Sequence, residues 1–331
     1  MLMSYQNLSK SIFSFVLIVG IANFFADMTY EGARGIIGPF MGSLGATATI
    51  IGFVSGFGEF VGYALRAAAG IFADRTRRYW IFAFIGYAIN MLAVPLLALA
   101  GNWPLAAVLI VAERTGRAIR RPSVEAMLSF TTKKLGRGWV FGFNEALDQA
   151  GATLGPLIVA LVLYLRGGYR HAFAVLLISG LLCLVTLLIA WFFYRKPHEF
   201  EKEDQNKEHK TFSKAYWFYV IGGMLTAAGF ADFSLISFHI DHHHIIDIHT
   251  IPVLYALAMA MGAIASLFFG KLLDKTGFGI FILAFFISSF FAPFAFSNNI
   301  VSIIMGSILW GIGLGSQDSL IKAELSKMDC F

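Results

Sequence analysis

Three charged side chains interrupt a long apolar stretch near the start of the sequence: Asp27, Glu31 and Arg34 fall between Ser11 and Phe40. On a helix their spacing, four residues and then three, places them on one face about a turn apart. A charge at mid-bilayer depth costs about 2.5–3.5 kcal/mol on insertion scales, so charges that persist there face a cavity or one another. Glu31 and Arg34 can neutralise each other as a structural pair. Asp27 is then left without a local partner, and a lone carboxylate in a low-dielectric setting is the kind of group that binds and releases protons. It is the first candidate for proton coupling.

Other polar groups recur inside apolar runs. Glu59 and Arg66 lie seven residues apart on one helix face, and Asn144, Glu145 and Asp148 fall close together further on. Glu59 with Arg66, and Asp148 with a basic residue of the run around Arg114, read as structural ion pairs. Gln317 and Asp318 follow Gly311-Ile-Gly313-Leu-Gly315, where small residues permit close helix approach and polar side chains can reach a cavity.

The elements that must carry these residues are membrane spans. Of the 331 residues, 58% are hydrophobic and 14% charged, a balance unsuited to a soluble domain. About 20 mostly apolar residues are needed to cross a bilayer as a helix. Ten such stretches are predicted: Ser11–Phe40, Thr47–Ile71, Tyr79–Gly101, Leu105–Ala126, Val140–Leu165, His171–Tyr194, Ala215–Phe238, Ile251–Leu272, Gly279–Phe296 and Ile300–Ile321. The first is too long and too charged for a cleavable signal peptide, so it stays as a helix.

Cytoplasmic loops collect Lys and Arg. With the N-terminus inside, most of the 25 basic residues fall on the inner side, including Arg75 to Arg78, the Arg114 to Arg137 region and the Arg195 to Lys214 segment, whereas the outer loops hold Arg166 and Arg170. The net charge of +5 is thus a topology signal and points to no nucleic-acid partner. An inner (plasma) membrane location follows, with the lipid bilayer as the first partner.

The hydrophilic segment 196–214 separates a six-helix bundle, residues 1–195, from a four-helix bundle, residues 215–331. The two parts repeat. Phe25-Ala26-Asp27 recurs as Phe230-Ala231-Asp232, Gly70 to Thr76 with Asp74 recurs as Gly270 to Thr276 with Asp274, and Ala126 to Ser129 recurs as Ala323 to Ser326, in the same order. Such parallel repeats are typical of transporter halves.

Gly70-Ile-Phe-Ala-Asp74-Arg75-Thr76-Arg77-Arg78 resembles the signature of the major facilitator superfamily, with its weaker echo at Gly270, Asp274 and Lys275. Glu113-Arg114-Thr-Gly116-Arg117 looks like the family's arginine motif, and Gly151-Ala-Thr-Leu-Gly155-Pro156, just after Asp148, resembles the Gly-Pro motif of drug exporters. The resemblance implies an all-α transporter fold, with a small-molecule substrate carried between two bundles and driven by protons or another coupling ion. It makes Gly70, Asp74, Arg75 and Arg78 a conformational lock, places Asp27 and Asp232 across a central cavity, and gives Arg114 either an anionic substrate or the Asp74 loop to hold. Family members usually have twelve helices, so the chain reads as stopping after the tenth, and a transport-inactive fragment is the alternative to a working transporter.

His239-Ile-Asp241-His242-His243-His244 has the His-x-x-His-His spacing of di-iron boxes, and imidazole suits several transition metals. Such enzymes need several boxes on the cytoplasmic side, while His171, His198 and His209 stand alone and this cluster falls in an outer loop. At most His239, His242 and His243 form a weak metal site; no enzyme is expected. No Gly-x-x-x-x-Gly-Lys-Ser/Thr loop is present, so no nucleotide or other cofactor is expected.

Overall fold

The computed structural model describes the backbone of residues 5–195, 197, 221, 230–276, 283 and 286–328, with their side chains except at 5–10, 133–134, 137–138, 166, 270–271, 273–276 and 318–328. The regular structure of these residues is helical. Helices α1 (Tyr5–Ser43), α2 (Ala48–Thr76), α3 (Tyr79–Leu96), α4 (Trp103–Ser129), α5 (Arg137–Arg166) and α6 (Tyr169–Phe193) are followed by α7 (Phe233–His242), α8 (Ile251–Thr276), α9 (Phe291–Ala295) and α10 (Ile300–Met328). The segment 198–214 and most of the stretch expected to begin helix nine at Gly279 lie outside the described residues.

Local chemistry sets the ends. The Thr47 side chain caps α2 by accepting from Ile50 N at 3.4 Å, and Asn102 caps α4 by accepting from Leu105 N at 2.9 Å. Gly167 and Gly168, at φ +54° and +133°, make the short turn from α5 into α6.

Seven of the described helices are long and apolar enough to cross a membrane by length and composition. Helix α4 is outside that set because of Glu113, Arg114, Arg117, Arg120 and Arg121, yet the first four are buried. This corrects the topology count: Arg114, Arg117 and Arg120 are interior charges of a helix, not loop charges.

Of the expected seventh span, Ala215–Phe238, residues 215–220 and 222–229 lie outside the described residues; the backbone is non-helical at Ala231 and Asp232, and α7 starts at Phe233 and runs on past the expected end to His242. Asp232, at φ −67° and ψ 144°, caps it by accepting from Ser234 N at 2.8 Å. Asp27 has the same Phe-Ala-Asp context but sits inside an unbroken helix.

Two apolar cores result. One gathers Phe15, Tyr87, Met91, Phe173 and Leu187 from α1, α3 and α6; the other gathers Phe233, Tyr255, Phe291 and Trp310 from α7 to α10, and Ala152 of α5 joins it. Small residues bring helix backbones together. Gly311 and Gly315 of α10 abut Ala258 and Gly262 of α8. Gly151 and Gly155 abut the Phe24 and Met28 carbonyls, which seats α5 parallel to α1 with no room for a Cβ. Gly155→Leu is therefore expected to cost at least the 1–3 kcal/mol typical of overpacking. The check is the melting temperature of the purified chain; an unchanged value would contradict this contact.

Candidate functional site

The charges of the apolar runs meet in two buried clusters strung along α4. The first joins α1, α2, α4, α7 and α8. Asp232 Oδ2 accepts from Arg34 Nη2 and from Arg114 Nη2, both at 3.1 Å, so the α7 cap is tied at once to α1 and α4. Glu59 Oε1 of α2 accepts from Arg34 Nη2 at 2.8 Å, from Arg117 Nη2 at 3.3 Å and from Arg114 Nη1. Glu31 lies 3.5 Å from Arg34 and accepts a hydrogen bond from the Tyr255 hydroxyl of α8. Glu113 is held by Asn90 Nδ2 at 2.9 Å and lies 3.7 Å from Arg117 Nε. Beside the cluster, Tyr30, Arg34, Glu113, Arg114 and Arg117 line a cavity of about 10 Å³, room for a single water.

The second cluster lies six residues further along α4, about 9 Å at helical rise. Arg120 Nη2 is 3.5 Å from Asp27 Oδ1, and its Nη1 donates to Asn23 Oδ1 at 3.4 Å. The guanidinium stacks on Tyr87, 4.6 Å from the ring centre, and the Tyr87 hydroxyl donates to Asn23.

Several expectations change here. Asp27 is not partnerless, because Arg120 faces it. Glu59 does not pair with Arg66, whose guanidinium lies over Tyr63 at 5.1 Å. Asp148 Oδ1 is buried with no hydrogen-bond partner, rather than bonded to a base of α4. Asp27 and Asp232 belong to different clusters, Asp27 with Arg120 and Asp232 with Arg34 and Arg114. Gln317 reaches the interior, its Nε2 buried without a partner, while the Asp318 side chain lies outside the described residues.

Gly70 packs on Pro122, and Asp74 accepts from the Tyr79 hydroxyl at 3.2 Å at the exposed end of α2, where Arg75 and Arg78 are also exposed. Gly270, Asp274 and Lys275 lie in α8, with their side chains outside the described residues. Pro156 sits within α5, one residue after the Gly155 contact.

His239 and His242 are in the last turn of α7 and His243 is its C-cap, so the histidines end a helix instead of filling a loop. His239 bonds the Ser297 carbonyl at 3.3 Å and packs ring to ring on His243 at 4.7 Å, and His242 stacks on Phe238. Among the described residues no three His, Cys, Asp or Glu side chains converge as a metal site.

Glu59, Glu113, Arg117, Arg120 and Tyr255 are the site residues the sequence reasoning passed over or misassigned. The spacing of Arg114, Arg117 and Arg120, every third residue of one helix, was the available signal: it gathers them toward one face.

Helices packed through glycine, with ion pairs buried among them, define a polytopic membrane protein. The Major Facilitator Superfamily profile matches residues 19–327, and the chain belongs to that family. It is 36% identical over 327 residues to an uncharacterized protein of Mycobacterium tuberculosis, covering 96% of this chain and 80% of that one. An uncharacterized MFS-type transporter of Methanocaldococcus jannaschii is 31% identical over 194 residues, 58% of this chain and 46% of its own length. The fold resembles that of the nucleoside transporter NupG, with TM-score 0.72 and 14% identity over 92% of this chain and 80% of that one. It also resembles an inward-facing bacterial homolog of the human lysosomal transporter Spinster, with TM-score 0.69 and 13% identity over 97% and 79%. The chain is accordingly a membrane transport protein and not an enzyme.

Proposed function

We propose that the chain is a secondary transporter of a small solute, coupled to protons and working by rocking a bundle of residues 1–195 against one of residues 215–331 across the 196–214 linker. The observation that carries this reading is the double ion pair from Asp232 to Arg34 and Arg114, which ties the second bundle to the first through groups that must separate when the bundles rock apart. Tight packing supports it: Gly38 of α1 meets the Ser234 carbonyl of α7, a close contact between the two bundles toward the end that holds the histidines. The opposite end, around Asp74 and Arg78, is the cytoplasmic one in this reading, in the cell's inner membrane, with Gly70, Asp74, Arg75 and Arg78 and their counterparts at Gly270, Asp274 and Lys275 as the lock.

Asp27 is the proton group, held by Arg120 when ionised and released when protonated. In proteoliposomes with an imposed pH gradient, Asp27→Asn is expected to keep solute exchange while losing acceleration by the gradient. Full gradient-driven transport in that variant would remove Asp27 from the coupling role.

A further inference from the structure

The bonding of Glu59 is unlike that of the other acids in its cluster. Glu31 has the Tyr255 hydroxyl, Glu113 has Asn90 Nδ2 and Asp232 has the Ser234 amide, each a neutral donor that fixes the carboxylate. Each hydrogen bond that Glu59 makes among the described residues comes from a guanidinium, and Arg34, Arg114 and Arg117 all converge on its Oε1. One fork-to-fork pair satisfies an arginine and a carboxylate; three guanidiniums aimed at a single oxygen make a receptor for an anion. The Glu59 side chain is 32% exposed, against 15%, 3% and 11% for the three arginines, so the carboxylate is the member free to leave. The arginines are also fixed without it. Arg34 and Arg114 hold Asp232, Arg117 lies by Glu113, and the Arg114 stem rests on Gly58.

Building on the transporter reading, we propose that Glu59 is an internal stand-in for the solute, and that the solute carries a carboxylate or phosphate group which replaces Glu59 on Arg34, Arg114 and Arg117. The exchange is neutral in charge, since one anionic group withdraws as another arrives. A cationic solute would instead have to separate Glu59 and Asp232 from their arginines and leave buried guanidiniums uncompensated, which is costly.

The test is ligand binding to the purified full chain in nanodiscs, with inorganic phosphate and succinate as anionic probes and tetramethylammonium as a cationic one. Glu59→Gln removes the competing anion, so phosphate or succinate is expected to bind about tenfold tighter than to the wild type. Equal affinity in the two proteins, or binding of the cation alone, overturns the proposal. If Glu59→Gln does not fold, Glu59→Asp takes its place: its shorter side chain retreats from Arg34, and unchanged anion affinity again overturns the proposal. Flux of the same probes into proteoliposomes separates the two readings. Protein-dependent uptake of tetramethylammonium without anion binding sinks the anion receptor and leaves a transporter, whereas tightened anion binding with no flux of any probe upholds the receptor and sinks the transporter.

Discussion

Asp232→Asn is expected to abolish solute movement and to lower stability by about 3–5 kcal/mol, the usual result of removing one partner from a buried ion pair. The substitution is nearly isosteric, and Asn caps helices as well as Asp, so the bond to the Ser234 amide and the start of α7 are preserved. The charge alone is lost. Arg34 Nη2 and Arg114 Nη2, each 3.1 Å from Asp232 Oδ2, then have one acid fewer to share, and α7 is no longer tied to α1 and α4. Looser contact between Gly38 and Ser234 should follow. Ser237 is fully buried beside that contact, which makes Ser237→Cys a suitable reporter in a Cys330→Ser background, since Cys183 is also buried. Maleimide labelling of this cysteine should be slow when Asp232 is intact and fast with Asn there. Unchanged melting temperature and unchanged labelling would show that the bridge holds nothing.

The helices were legible because hydropathy is a property of segments, whereas the site depends on which segments face one another. The starts of α2 and α4 fall where Thr47 and Asn102 can cap, and such signals are local. The helix start after Asp232 was not legible: Phe-Ala-Asp occurs twice, once inside unbroken α1 and once as a cap, and the second copy is set apart by the arginines that hold it. Glu59 and Arg66 share a face but are separated by about 10 Å of helix, too far when Arg34, Arg114 and Arg117 approach from neighbouring helices. Arg120 was hidden for a different reason. Counting basic residues assigns it to the membrane edge with Arg121 and Lys133, yet it is 5% exposed and points to Asp27. Long-range pairing of charges has no periodicity, so a sequence shows the candidates without showing the pairs.

Arg120→Ala is expected to be the most damaging change in the second cluster, because it strands Asp27 in the interior and removes the stacking surface of Tyr87. A loss of about 3–5 kcal/mol follows from the unpaired buried charge. Close packing limits relief, since α3 and α4 touch through Gly86 and Gly116 beside Arg120. Adding Asp27→Asn should restore part of the stability, and a thermal double-mutant cycle should give a coupling of about 0.5–3 kcal/mol between the two sites. Additive losses would mean that the two side chains act independently despite the 3.5 Å approach. Transport by the double variant then separates structure from coupling. A pair kept for packing alone yields gradient-driven uptake again once stability recovers, while a pair that carries the proton yields a stable chain whose solute exchange ignores the pH gradient.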